Sequence, residues 1–179
     1  MLYAFGFERI GVVLGDLHFV DPDPGEGQEG AERGVRLELR VLDRGKLKGS
    51  IYSAQPIEVG QPIWRVDLLE SVAGPPGSFD RTHHHPAFRS WEPGSRVFVD
   101  ELSAHPLEWL GAELSNLERV LDRAGVAADE TTASDAAALR ECVPEILDAT
   151  GRLLARIKAG ELGGPPGDEP LASARVGWL

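Results

Sequence analysis

The feature of this sequence that most constrains its fold is a change of hydrophobic period near residue 100. Before that point apolar and polar residues alternate. The alternation is clearest from Val35 to Val41, where the odd-numbered residues are apolar and the even-numbered residues are charged. A period of two is typical of a β-strand with one buried face. Beyond residue 100, leucines recur at intervals of three and four, as in an amphipathic α-helix. The sequence therefore predicts a β-rich first part followed by a helical part.

The first part contains several strand-like segments separated by turn residues. Residues 1–20 predict a pair of strands, and the later predicted strands are Val35–Val41, Leu47–Ser53, Ile63–Glu70, Phe79–His85 and Arg96–Asp100. Short turns join these segments, and no helical pattern lies between them, so they predict an antiparallel meander. We expect a sheet of about five to seven strands.

The second part predicts two helices that form a hairpin. Pro106 is well placed as the first residue of a helix, and Gly125 is well placed to end it. A second apolar stripe runs over residues 139–157 and is followed by Gly160. Pro144 lies inside this stripe, so the second helix is expected to be kinked or split there.

These patterns together predict a single α+β domain over residues 1–179. Residues 1–100 would form mainly a β meander, residues 101–160 a helical hairpin packed on the sheet, and residues 161–179 a mostly irregular tail. Trp178 and Leu179, at the end of that tail, are expected to pack back onto the body. A chain of 179 residues is long enough to bury one hydrophobic core without disulfides.

The composition restricts the partners that we expect. The formal net charge is −11, which repels phosphate backbones and anionic membrane surfaces, so nucleic acid is not an expected partner. No apolar run is long enough to cross a bilayer. Cys142 is the only cysteine, which excludes an internal disulfide and favours a reducing compartment. We expect an acidic cytoplasmic protein.

Three consecutive histidines, His83, His84 and His85, provide the main candidate for a site. On a strand, His83 and His85 point to one face and His84 to the other. Two imidazoles on the same face can bind one metal ion, and zinc is the metal that suits them best. A third ligand would be required, and the spacing does not select among the candidates, which are Asp67, His18, His105, Glu92 and Asp100.

The same strands also suggest a site without a metal. Arg65 and Asp67 share a face of the preceding strand, and Arg81 has the same parity as His83 and His85. If these strands pair, the five side chains would form a pocket for a small anion, with an acid/base histidine oriented by the carboxylate. Alternatively, the five residues make only cross-strand hydrogen bonds that stabilise the sheet.

Two classes of function follow from these alternatives. We favour a small binding or interaction module, whose histidine, arginine and aspartate cluster holds a small anion or a partner. The alternative is an enzyme, either metal-dependent or using acid/base chemistry, with His83, His85 and Asp67 as candidate catalytic residues. A homodimer is also expected, because pairing is a common way to protect an exposed sheet edge.

Overall fold

The computed structural model describes residues 1–127 and 130–165. Five strands form one antiparallel sheet in the order β1-β2-β3-β4-β5. Their bounds are β1 Leu2–Gly6, β2 Ile10–Val20, β3 Ala31–Arg44, β4 Ile57–Ser71 and β5 His83–His85. A two-stranded sheet follows, made of β6 Phe88–Arg89 and β7 Glu92–Pro93. The helices are α1 Asp100–Ala104, α2 Pro106–Leu114, α3 Leu117–Ala124 and α4 Glu130–Lys158. The α+β class and the antiparallel meander are thus confirmed.

Three of the predicted strands are wrong or too long. The Leu47–Ser53 segment is not a strand, because β3 continues to Arg44 and the chain returns only at Ile57. The Phe79–His85 strand is confined to its last three residues, since Phe79 has a φ of 51° and begins a turn closed by a hydrogen bond from the amide of Thr82. In Arg96–Asp100, only Val97 pairs, in a single bridge to His84, and α1 begins at the last residue of the segment.

The helical part follows the prediction with two differences. The first helix begins at Pro106 as predicted, and Gly125 ends α3 in a left-handed conformation. Between them the helix is interrupted at Asn116, whose side chain caps α3 by accepting a hydrogen bond from the amide of Arg119. By contrast, α4 continues through Pro144, where a split was one of the expected outcomes. Trp178 and Leu179 lie outside the described residues, so their packing stays a prediction.

The helices cover one face of the five-stranded sheet and form the hydrophobic core with it. Apolar residues from β2, β3 and β4 contribute to this core, as do residues from all four helices. Trp64 of β4 is fully buried there, and its ring stacks on Trp109 of α2 with the centroids 6.1 Å apart. No helix among the described residues is long and apolar enough to cross a membrane.

The opposite face of the sheet is charged, and it is buried as well. This polar face, as we call it, carries Glu32, Arg36, Glu38, Arg65, Asp67, His83 and His85. Glu38 is only 3% exposed, although strict alternation predicted a strand with a single buried face. Residues 86–99, named here the covering segment, lie over part of the polar face, with Phe88 under the guanidinium of Arg65 and Trp91 under that of Arg40. Burial on both faces therefore corrects the sequence-based prediction for β3.

Gly34, the fourth residue of β3, offers a direct test of the packing of the sheet. A Cβ atom at this position would lie 1.9 Å from the carbonyl oxygen of Leu68 on β4, and backbone cannot move aside as a flexible side chain can. We expect Gly34→Ala to lower the free energy of unfolding by about 1–3 kcal/mol or more, since about 1–3 kcal/mol is the usual cost of overpacking. Urea denaturation measures this effect. Gly25→Ala is the control, since its Cβ would meet only ordinary contacts of 3.8 Å, and an equal loss in both variants would contradict the expectation.

Candidate functional site

The register of β4 and β5 brings the predicted site residues together. Asp67 lies opposite His83, and Arg65 lies opposite His85, so that these four side chains share the polar face. His84 lies opposite Val66 and points to the helical side of the sheet. The prediction that His83 and His85 share one face is therefore confirmed, and their carboxylate neighbour is Asp67.

Each of the two imidazoles on the polar face is oriented by a backbone carbonyl. The Nδ1 atom of His83 lies 2.8 Å from the carbonyl oxygen of Arg81, and the Nδ1 atom of His85 lies 2.7 Å from that of Gly94. A carbonyl oxygen only accepts hydrogen bonds, so both Nδ1 atoms carry the proton. In the neutral ring the Nε2 atom then presents a lone pair. In that neutral form, each Nε2 atom could bind a metal ion.

The electrostatics of the site keep His85 neutral near pH 7. Burial lowers the pKa of His85 to about 4, and this effect exceeds the opposing influence of the hydrogen bond to Gly94 and of the Asp67 charge. The imidazole therefore has its lone pair available over the physiological range of pH.

Asp67 is a buried carboxylate held by a bidentate arginine. Its Oδ1 atom accepts a hydrogen bond of 2.7 Å from Nε of Arg36, and Oδ2 accepts one of 3.1 Å from Nη2. Burial raises the pKa of the Asp67 carboxyl, but Arg36 and His83 outweigh this effect and hold the pKa well below its usual range. Asp67 is consequently ionised at neutral pH.

The two Nε2 atoms converge on one oxygen of this carboxylate. Asp67 Oδ2 lies 3.4 Å from Nε2 of His83 and 3.7 Å from Nε2 of His85, and the three ligand atoms lie within 4.8 Å of one another. Tetrahedral zinc with bonds of about 2.0–2.1 Å separates its ligand atoms by about 3.3 Å. The two nitrogen–oxygen distances are close to this value, and the three side chains are nearly inaccessible to solvent.

The other proposed third ligands lie elsewhere in the fold. His18 is on β2, where its Nδ1 atom contacts the carbonyl oxygen of Gly163 near the end of the helical part. The remaining candidates, His105, Glu92 and Asp100, are exposed. Over the described ranges, the group of close ligand atoms consists of Asp67, His83 and His85. Asp67, on the strand next to β5, is therefore the candidate third ligand that lies beside the histidine pair.

The two arginines of the predicted anion pocket are engaged within the protein. Arg65 donates to Glu38 through Nε at 2.8 Å, and its Nη2 atom lies 2.6 Å from the same carboxylate. Arg81 donates to the carbonyl oxygen of Gly27 and forms a longer contact of 3.4 Å with that of Glu29. An anion would have to compete with these partners for either guanidinium.

Two residues of the site were not identified from the sequence. Arg36, the partner of Asp67, belongs to the alternating Val35–Val41 segment, which was interpreted as a strand with one buried face. Glu32 precedes that segment, in an acidic and glycine-rich stretch without periodicity. Glu32 is 1% exposed, and neither of its carboxylate oxygens has a hydrogen-bond partner. Burial raises the pKa of Glu32 despite the nearby positive charges, of which Arg96 is the most influential. For Arg36, the available signal was the alternation of charged and apolar residues in Val35–Val41.

His84 belongs to the core and not to this site. Its Nδ1 atom accepts a hydrogen bond of 3.3 Å from the indole nitrogen of Trp64, and its ring packs against Trp109. Burial lowers the pKa of His84 to about 4, and the positive charge of Arg123 contributes to this shift. His84 is therefore a neutral, hydrogen-bonded core residue.

Comparison of this chain with protein-family models, with curated proteins and with solved structures found no match in any of the three. A function for this chain must therefore be argued from the geometry of the site itself.

Proposed function

We propose that this protein binds one divalent transition-metal ion, most suitably zinc, through Asp67, His83 and His85. One observation carries the proposal: the Nε2 atoms of two buried imidazoles and a carboxylate oxygen lie within 4.8 Å of one another. Each group is an acceptor when the imidazoles are neutral, so a cation at this point would satisfy all three.

The orientation of the histidines supports the same proposal. Metal-binding histidines usually donate their second ring N–H to a carboxylate or a backbone carbonyl, which fixes the tautomer. His83 and His85 both have such a partner on Nδ1. The metal ligands would thus be held in place before the ion arrives.

The alternative is that a proton, not a metal ion, lies between the imidazoles and Asp67. The ion pair between Asp67 and Arg36 favours this alternative. Because Arg36 already balances the charge of Asp67, a protonated His83 could complete a structural cluster without any metal. In that case, a binding module of this kind would bind its ligand at a surface other than this cluster. Metal content distinguishes the two cases directly.

The donor set leaves at least one coordination position for a further ligand, as in catalytic zinc sites and non-haem iron sites. The covering segment lies against the site, with the rings of Phe98 and His83 5.5 Å apart. Access for a substrate would require this segment to move. A metal-dependent enzyme thus stays an alternative, and metal binding is the function proposed first.

We expect protein purified without a histidine tag or nickel resin to bind about one zinc ion per chain, because the three ligand atoms are arranged in advance. His83→Ala/His85→Ala should abolish this binding, since a lone carboxylate paired with Arg36 is a poor ligand. Elemental analysis after dialysis, together with calorimetric titration of zinc into chelator-treated protein, measures both quantities.

His18→Ala/His105→Ala is the matched control, because it removes two histidines from outside the site. This variant should keep the zinc of the unmodified protein. Failure of the unmodified protein to take up zinc, cobalt, iron(II) or manganese would refute the proposal and leave the protonated cluster.

A further inference from the structure

Glu32 is a buried carboxylate without a hydrogen-bond donor, on the same face of the sheet as the proposed metal site. It is 1% exposed, and both Oε atoms are unpartnered. The nearest cation, Arg96, approaches Oε1 only to 3.7 Å and bonds instead to Asp21 and Gln28, at 3.0 and 2.9 Å. A desolvated carboxylate in this condition costs free energy unless a donor reaches it.

The position of Glu32 on β3 places it on the face that carries the proposed metal ligands. Glu32 and Arg36 both lie on the polar face of β3, and Arg36 is the residue opposite Asp67. The charges of His83 and Asp67 both act on the Glu32 carboxylate. Even so, Glu32 is not among the ligand atoms that lie within 4.8 Å of one another.

We propose that Glu32 accepts a hydrogen bond from a water molecule that occupies the fourth coordination position of the metal. The inference rests on the proposed metal site and deepens it. Water supplies the donor that Glu32 lacks, and the negative carboxylate offsets the charge that a divalent ion adds next to Arg36. The fourth ligand is then exchangeable, and small anions are the class of ligand that can replace it.

Glu32→Gln separates this role from a structural one. In metal-free protein we expect the variant to be at least as stable as the unmodified chain, since it removes an unpartnered buried charge. Its affinity for Co²⁺ should nevertheless fall by about 10–100-fold, the usual effect of losing a partner of a metal ligand. Thermal denaturation with chelator and titration with Co²⁺ give the two results on the same samples.

The visible spectrum of bound Co²⁺ and its response to azide test the water ligand. We expect azide to change the spectrum of the unmodified protein by replacing water, and to bind Glu32→Gln more tightly because the repelling carboxylate is gone. The matched control is Glu70→Gln, which removes a buried carboxylate that is bonded to Arg33 and to the amide of Gly77. It should leave the Co²⁺ affinity, the spectrum and the azide response unchanged.

The possible failures have different meanings. If the unmodified protein takes up no Co²⁺ or other divalent metal, both the metal site and the role of Glu32 are refuted. If it binds Co²⁺, and Glu32→Gln has the same affinity and spectrum, only the role of Glu32 is refuted. A spectrum that azide does not alter would also overturn the water ligand, because it would mean that the fourth position is closed.

Discussion

Asp67→Asn is expected to lower the free energy of unfolding of metal-free protein by about 3–5 kcal/mol. The substitution keeps the size of the side chain and removes its charge. Arg36 then remains buried next to a neutral amide, and its side chain is only 14% exposed. The desolvation of an unpaired guanidinium is the main cost, because the bidentate contact that offset it is gone. Urea denaturation in the presence of a chelator measures the loss.

A double substitution shows whether the loss comes from the broken ion pair. Replacing both partners, as in Arg36→Met/Asp67→Leu, removes the two charges together and leaves apolar side chains of similar size. Replacements of this kind are often neutral or stabilising, so the double variant should be clearly more stable than Asp67→Asn. If Asp67→Asn costs less than about 1 kcal/mol, then the pair does not have the buried character that its geometry implies.

The free energy of unfolding of metal-free protein should fall steeply as the pH is lowered from about 6.5 to about 4. His84 and His85 have folded-state pKa values of about 4, compared with 6.5 for an unperturbed histidine. Between these values the unfolded chain binds more protons than the folded protein, so acid favours unfolding. Each histidine contributes up to about 3 kcal/mol, which is present in full above pH 6.5 and lost below pH 4.

Neutral replacements identify the groups responsible for this dependence. His84→Asn and His85→Asn each remove one titrating group, and each should reduce the slope of stability against pH over the interval, even where the stability at pH 7 is also lower. His105→Asn is the control, since His105 is exposed at the start of α2. Denaturant titrations at several pH values, with chelator present, give the slopes. An unchanged slope in both test variants would contradict the assignment.

The hydrophobic pattern was sufficient to predict the class of the fold and much of the site. Alternation in β3 and β4 predicted strands, and the parity of His83 and His85 correctly placed them on one face. The turn between β3 and β4 was predicted incorrectly. Leu47–Ser53 has a strand-like composition, but it lies in the connection between Arg44 and Ile57 and forms no strand. Likewise, a split at Pro144 was one expected outcome, yet α4 continues through this residue. Propensity is local, whereas pairing and packing depend on distant residues.

The sequence by itself determined which side chains share a face, since the alternation of a strand follows from its backbone geometry. Only the tertiary structure decided that the charged face is buried, because the covering segment and the strand register are not visible in a period of two. Register likewise selected Asp67 from five candidate ligands by placing it opposite His83. The tertiary structure also leaves the carboxylate of Glu32 buried without a hydrogen-bond partner. Burial turns an ordinary alternation of charges into a site, since only removal from water makes an unpaired charge costly.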